Sequence, residues 1–450
     1  MTHIGVIGGA GYVGLVTSVG FAALGHKVTA MDVDKVRISM LNRGTSDVYE
    51  DGLEPILGEL LLQDRINFTD DQNQTVQNSE ALFIAVGTPS LSDGGADMSA
   101  VIDVAQRLCD EIDKYTVIVV KSTVPVGSIS VISDVLSQKL TQGEDFDVVS
   151  NPEFLREGSG LVDFFSPSRI IVGSASDRAL KVLRDIYRPL LGGNVVVDVP
   201  WVDSQREIPY VETDVTSAQL TKYAANAFLA TRISFINEIA GISEKVGGDI
   251  EDVVFGLGLD PRIGPNYLKP GIGFGGPCLD KDLRALITIA RENSYDSVML
   301  EGVLQRNELQ LREVLNKIVK ALESSLYGKR IALLGLAFKE GTNDVRHSLS
   351  IRLYRALREQ GALVVGHDVL AAHDAIGIEP DLDATSDLDL AVRGADVVVV
   401  LNPEPLYSEF DWSSLVTCGF SPYVIDTRGV LDVSAMSASG ISFDVLGSTS

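Results

Sequence analysis

Cys278 ends the run GIGFGGPC, and Lys281 and Asp282 follow it closely. A thiol is a ready nucleophile near neutral pH, and glycines let a backbone approach a ligand that larger residues would exclude. Taken alone, the loop fits a reactive thiol and a glycine-rich turn with an incidental cysteine equally well. A second group lies upstream, in DVTSAQLTKYAANAFLATRISFINEIAGISEK. This stretch has no strand signal and is apolar on most faces, so it reads as a helix over about 214–245, buried against the protein or a partner subunit. Lys222 and Asn226 are four apart and share one face of it. A lysine there needs a partner or a task, unless its stem runs along the surface to water.

Such groups need a scaffold. Residues 4–8 read as a buried strand, followed by Gly9-Ala10-Gly11-Tyr12-Val13-Gly14, an apolar helix to about Leu24, and a strand from Lys27 to Met31 that ends at Asp32. The glycine pattern alone is a weak signal, but the whole βαβ unit is a dinucleotide fingerprint. Gly9 is expected to make the tight turn, Gly11 to admit the pyrophosphate and Gly14 to allow close helix packing. The helix N-terminus supplies N–H donors. Asp32 stands where a carboxylate bonds the ribose hydroxyls and repels a 2′-phosphate, which selects NAD.

Further strand-like runs, ALFIAVGTP, TVIVVKSTVP and DVVSNPEF, bring Thr88, Thr123 and Glu153 to strand carboxyl ends, the ligand face of a doubly wound sheet. A helical pattern covers about 300–326, and from Lys329 the βα alternation restarts. This second α/β segment lacks G-x-G-x-x-G and offers Lys339 and Arg346 in its first loop, which suits a different nucleotide-type ligand. The expected fold class is α/β: two Rossmann-like doubly wound domains joined by a central helical domain, with boundaries at 1–205, 206–325 and 326–450.

The 450 residues exceed one ordinary core. A hydrophobic content of 45% with mean hydropathy +0.18 excludes a disordered chain. Cys109, Cys278 and Cys418 are too scattered for a disulfide framework and lack metal-ligand spacing, so no metal is expected. The start MTHIGVIGG has no signal-peptide pattern, and no apolar run approaches the ~20 residues of a membrane span. A soluble, cytoplasmic protein is expected. A net charge of −25 disfavours nucleic acid and anionic membranes as partners, so an anionic ligand must be held by local cations and backbone N–H groups.

The motifs GAGYVG, VGTP, STVPVG, NPEFLREG, KYAANAFLATRISFINE, GIGFGGPCLDKD and LGLAFKEGTNDVRHS, in this order over nearly the whole chain, resemble the UDP-glucose/GDP-mannose dehydrogenase family. The resemblance implies oxidation of the sixth carbon of a nucleotide-linked hexose from alcohol to carboxylate with two NAD, most closely UDP-glucose to UDP-glucuronate. GDP-mannose and UDP-N-acetylhexosamines are the alternative substrates. The N-acetylhexosamine branch usually has His before the cysteine, where this chain has Pro277; no single residue excludes GDP-mannose. By the same resemblance Cys278 is the nucleophile, Lys222 and Asn226 hold the oxyanion, and Asp282 acts in base chemistry or supports Lys222. Thr123, Glu153 and Glu157 line the reacting end. Cofactor contacts are implied at Gly9, Gly11, Tyr12, Val13, Gly14, Asp32, Lys35, Thr88, Thr123 and Glu157. Substrate contacts are implied at Glu153, Phe154, Leu155, Lys222, Asn226, Tyr267, Lys269, Gly275, Phe338, Lys339 and Arg428. Arg262 resembles an arginine that enters a neighbouring subunit's site, which implies a homodimer or higher homo-oligomer. Two departures stand out: Asp280 lies where the family often has Pro or Gln, and RHSLS replaces the commoner RESPA.

The implied chemistry explains the thiol. After the first hydride leaves, the planar aldehyde does not readily give a second; thiolate addition restores a tetrahedral carbon, and the second hydride then leaves a thioester for hydrolysis. Asp282, Glu153 or a bound water takes the alcohol proton. Two readings of other classes are a two-electron dehydrogenase, which needs no thiol, and a non-catalytic nucleotide sensor.

Overall fold

Thr116–Val120 and Val397–Val400 are β-branched runs without a charge among them, and each becomes a wholly buried central strand. Such runs suit parallel sheets with both faces covered by helices. The computed structural model describes residues 1–202, 206–323 and 325–448, in two units, Met1–Ala225 and Asn226–Ser450. The expected boundary at 205–206 touches residues 203–205, outside the described residues.

In the first unit the strands are β1 (His3–Ile7), β2 (Lys27–Met31), β3 (Ile66–Thr69), β4 (Ala81–Ile84), β5 (Thr116–Val120), β6 (Phe146–Ser150), β7 (Ile170–Gly173) and β8 (Tyr210–Thr213). They order as β3-β2-β1-β4-β5-β6-β7-β8. All pairs are parallel except β6 with β7, which meet antiparallel at Ser150 and Gly173. The first six strands follow the dinucleotide-binding order, with its reversal between β1 and β4. Alternate residues serve opposite cores: Val6, Phe83 and Val119 on one face, Ile7, Ile84 and Val120 on the other. Helix α1 (Tyr12–Ala23) is seated by Phe21, whose ring packs on Phe83 at 4.7 Å and edge-on to Phe164 and Tyr187. Each such ring pair adds roughly 0.5–1.5 kcal/mol beyond its buried area.

In the second unit the strands are β9 (Arg330–Leu334), β10 (Leu363–His367), β11 (Asp383–Thr385), β12 (Val397–Val400), β13 (Tyr423–Asp426) and β14 (Phe443–Val445). Their order, β11-β10-β9-β12-β13-β14, repeats the first sheet's.

Helix α2 runs Val215–Val246, one residue from expectation at each end. Cys278 caps α3 (Leu279–Glu292), and α4 spans Val298–Ala321. The apolar pattern predicted α4 to about 326. Glu323 instead takes a left-handed backbone, φ +53, and Leu326 turns into the core beneath the second sheet. The RHSLS departure does not disturb α5 (Leu349–Glu359), since Ser348 caps it by accepting from Ser350 N–H. Strands β3, β7, β8, β11 and β14 have three to four residues each and carried too little pattern to be foreseen.

Candidate active site

The loop after β1 carries the cofactor fingerprint with one correction. The left-handed turn residue is Gly8, φ +86, not Gly9. Gly9 is required because a Cβ there would lie 2.7 Å from the Ala30 Cβ on β2. Gly14 matches its expected role: a Cβ would stand 2.0 Å from the Gly8 carbonyl. Gly11, the N-cap of α1, is open, with nothing nearer than 3.5 Å to such a Cβ. A dinucleotide pyrophosphate fits over Gly11, facing the N–H groups of Tyr12 and Val13, which have no acceptor inside the helix. Asp32 Oδ2 accepts the Ala10 N–H at 2.9 Å, so the expected ribose carboxylate also braces the loop.

The Tyr12 hydroxyl lies 2.6 Å from Glu50 Oε2 and 2.8 Å from the Arg156 carbonyl. Burial, then the charge of Glu50, pushes its ionisation far above the usual tyrosine range, with Glu157 adding to the effect. The side chain is therefore an anchor between segments. Lys35 is exposed and pairs with Asp70 at 2.9 Å. Thr88 is buried and donates its hydroxyl to the Thr123 carbonyl at 2.8 Å, tying the loops after β4 and β5 together.

Beyond β6, Glu153 and Lys222 form a buried ion pair at 2.7 Å, with side chains 8% and 5% exposed. Glu153 Oε2 also takes the Leu155 N–H. Burial pushes the Glu153 carboxyl up, but Lys222, the Leu155 N–H and Lys121 together hold it below the ordinary value. Phe154 lies under the Arg169 guanidinium, 3.5 Å from its ring centre, with Lys222 Nζ at 5.5 Å. Glu153, Phe154, Leu155 and Lys222 are thus brought together in the first unit.

In the second unit, the cysteine loop shows why it is glycine-rich. A Cβ on Gly271 would strike Arg428, on Gly273 Asn307, on Gly275 the His347 carbonyl and on Gly276 Phe338, each within 2.7 Å. The glycines admit the protein's own side chains and backbone, holding the loop against α4 and the segments that follow β9 and β13. Three buried amides the sequence did not reveal secure it: Asn237 Oδ1 accepts from Gly271 N–H, Asn307 bonds both backbone groups of Phe274, and Gln310 donates to the Gly271 carbonyl. The only signal for them was polar residues spaced along otherwise apolar helix faces.

Cys278 is an exposed thiol outside any disulfide, at the N-terminus of α3, where backbone N–H groups favour negative charge. Asp282, one turn on, is 1% exposed. Its Oδ2 accepts from Asn226 Nδ2 at 2.6 Å and its Oδ1 from Lys281 Nζ at 2.6 Å. Asp282 therefore fixes the Asn226 carboxamide. Asp280 pairs with Arg284 at 2.7 Å, so the extra carboxylate is compensated within its own helix.

The remaining substrate candidates separate. Phe338 and Lys339 follow β9; Lys339 Nζ stands 6.0 Å from the Phe338 ring centre. Arg428 donates to the Pro270 carbonyl, and its own loop hangs on Asp426, whose carboxylate accepts four successive N–H groups from Arg428 to Leu431. Tyr267 adopts φ +59 and is 38% exposed, and Lys269 is exposed. Arg262 is exposed and grips Asp260 with two nitrogens. Asp368, the counterpart of Asp32 after β10, accepts N–H groups of Leu336, Ala337, Leu370 and Ala371. It is 4% exposed, so it is spent on the backbone and does not suit a ribose. The second sheet, with the same order in its strands, therefore lacks the partly open carboxylate that the first presents at Asp32.

Three family models match in succession: the UDP-glucose/GDP-mannose dehydrogenase family NAD binding domain over residues 2–191, its central domain over 216–309 and its UDP binding domain over 332–433. The chain is 38% identical over 445 residues to a UDP-glucose 6-dehydrogenase of Rickettsia conorii, covering 98% of each. It is 37% identical over 440 residues to one of Bacillus subtilis, covering 98% of this chain and 96% of that one. Among solved structures, a UDP-glucose dehydrogenase from Pyrobaculum islandicum superposes with TM-score 0.87 at 36% identity, over 96% of this chain and 95% of that one.

Proposed function

Because the chain belongs to the UDP-glucose/GDP-mannose dehydrogenase family, we infer that it is an NAD-dependent enzyme that oxidises UDP-glucose to UDP-glucuronate in four electrons. The observation that carries this reading is the end-to-end likeness to UDP-glucose 6-dehydrogenases together with an exposed thiol at the head of α3 and a carboxylate–carboxamide clamp one turn away.

In this reading, residues 1–205 hold NAD, 206–325 carry the reacting groups, and 326–450 hold the nucleotide through Phe338, Lys339 and Arg428. Gly11 and Asp32 would hold NAD, which when bound would supply the hydride acceptor for the two oxidations. Glu153, Asp282 or a bound water takes the alcohol proton. Lys222 and Asn226 stabilise the oxygen as it becomes negative, a contribution of about 3–4 kcal/mol per donor. Cys278 Sγ then adds to the aldehyde carbon, and the oxygen takes a proton to give the thiohemiacetal. After the second oxidation water attacks the thioester, the C–S bond breaks, and the sulfur leaves as thiolate while the acid is released.

A dimer is supported by α2, which exposes Leu220, Phe228, Phe235, Ile242 and Val246 by 45–74%. In that dimer Arg262 reaches the partner's substrate. Among the described residues no helix is long and apolar enough to cross a membrane; three cysteines outside any disulfide and a nucleotide-sugar substrate fit the cytoplasm.

The test is stoichiometry. UDP-glucose should yield two NADH per sugar, and Cys278→Ser should stop acid formation. One NADH per sugar, or normal turnover without the thiol, rejects the four-electron scheme. A panel with GDP-mannose and UDP-N-acetylhexosamines fixes the substrate.

A further inference from the structure

Lys121 is a buried lysine that the reaction just described does not use. It follows β5 in the strand-like run TVIVVKSTVP and is 5% exposed. Among the described residues its ammonium makes one hydrogen bond, to Asn151 Oδ1 at 3.2 Å. That oxygen is already served by the Tyr187 hydroxyl at 2.7 Å. A buried cation with most of its donors unmatched is costly, and an apolar side chain would suit the sheet better. Lys121 and Glu153 line one cavity of about 340 Å³, together with Asn151 and Phe154.

We propose that Lys121 is a positioning residue that sets the charge of the Lys222–Glu153 pair, leaving that cluster one positive charge in excess for the oxygen at the reacting carbon. Paired alone, Lys222 and Glu153 cancel, and the ammonium has little net field to offer an oxyanion. A second cation facing Glu153 divides the carboxylate's attraction and frees part of the Lys222 charge. The proposal rests on the reading of Lys222 as the group that holds that oxygen.

The surroundings make this charge sensitive to pH. Burial pulls Lys121 from the ordinary 10.5 down to about 8, with Lys222 adding to the fall and Glu153 opposing it. The other groups facing this cavity include Tyr187, Arg169, Arg156 with Asp163, and Arg206. Tyr187 is kept neutral by burial, far above the usual tyrosine range. Arg169 stacks on Phe154 and remains a cation, Arg156 is paired with Asp163, and Arg206 is bonded to Ser166. As pH rises through about 8, Lys121 loses its proton and the cluster loses its excess charge.

The experiment is the pH profile of kcat at saturating UDP-glucose and NAD for the wild type, Lys121→Met, Lys121→Arg and Asn151→Asp, with NAD affinity and thermal melting as checks of folding. The wild type should fall in rate with an apparent pKa near 8. Lys121→Met should lower the plateau about tenfold, far less than a charge in direct contact would give because Lys121 acts through Glu153 and Lys222, and abolish that fall. Lys121→Arg, which keeps its charge, should restore the plateau and hold it to higher pH. Asn151→Asp leaves Lys121 in place beside a carboxylate and should move the fall upward. A wild-type profile with no ionisation near 8 overturns the proposal. So does a fall that persists in a folded Lys121→Met, or one unmoved in Asn151→Asp. If two NADH per sugar are still formed while these profiles coincide, only the role of Lys121 is lost; a yield of one removes the underlying reading instead.

Discussion

Replacing Asp282 by Asn tests whether the clamp on Asn226 serves the reaction. The carboxylate is 1% exposed and satisfies two donors, Asn226 Nδ2 and Lys281 Nζ, each at 2.6 Å. A carboxamide of equal size has one acceptor oxygen, so its NH2 must face one of those donors. An unsatisfied buried donor costs about 1–3 kcal/mol. Taking the negative charge from beside Lys281, whose side chain is 17% exposed, costs more, about 3–5 kcal/mol for a fully buried pair. Asn226 can escape the clash only by turning its amide, which presents a carbonyl where the reaction needs a donor. The expected result is a kcat reduced about a hundred- to thousand-fold, the cost of one oxyanion donor, with KM for UDP-glucose changed much less and a lower melting temperature. The assay is steady-state NADH formation together with thermal melting. A kcat within about threefold of wild type alongside a clear loss of melting temperature would refute the reasoning, because it would make the clamp structural only.

Asp32→Ala removes both the ribose carboxylate and the brace on Ala10 N–H, so KM for NAD should rise about tenfold or more and the preference over NADP should shrink; an unchanged NAD-to-NADP ratio of kcat/KM contradicts the assignment. Lys121→Met should stabilise the fold near pH 7 by about 1–3 kcal/mol, since a pKa drawn from 10.5 to about 8 marks a burial cost of that order and Tyr187 still serves Asn151. The sign follows from linkage: the unfolded chain binds this proton more tightly, so wild-type stability gains with pH between about 8 and about 10.5 and the difference between the two proteins narrows there. Denaturant titration at both ends of that range checks it, and a variant less stable than wild type at pH 7 contradicts it.

Local patterns carried much of this protein openly. The order strand, G-x-G-x-x-G, helix, strand, acid could be read because each residue type is forced by contacts within one βαβ unit, and the structure moved only the turn residue, from Gly9 to Gly8. The four-residue spacing of Lys222 and Asn226 placed them on one face of α2, since helix geometry is local. What each side chain meets is not local. Glu153 is 69 residues from Lys222, and Asp282 is 56 from Asn226. Periodicity could not say which carboxylate pairs with which cation, nor that Asp368 is consumed by four backbone N–H groups while Asp32 stays half open. The glycines of GIGFGGPC announced close approach, but only the packed chain decided that the approaching groups are Arg428, Asn307, His347 and Phe338. Lys121 looked like the end of a strand until burial made its charge a cost. Sequence fixes what a backbone can do over a few turns; long-range packing sets which charges share a cavity and therefore what fields they exert.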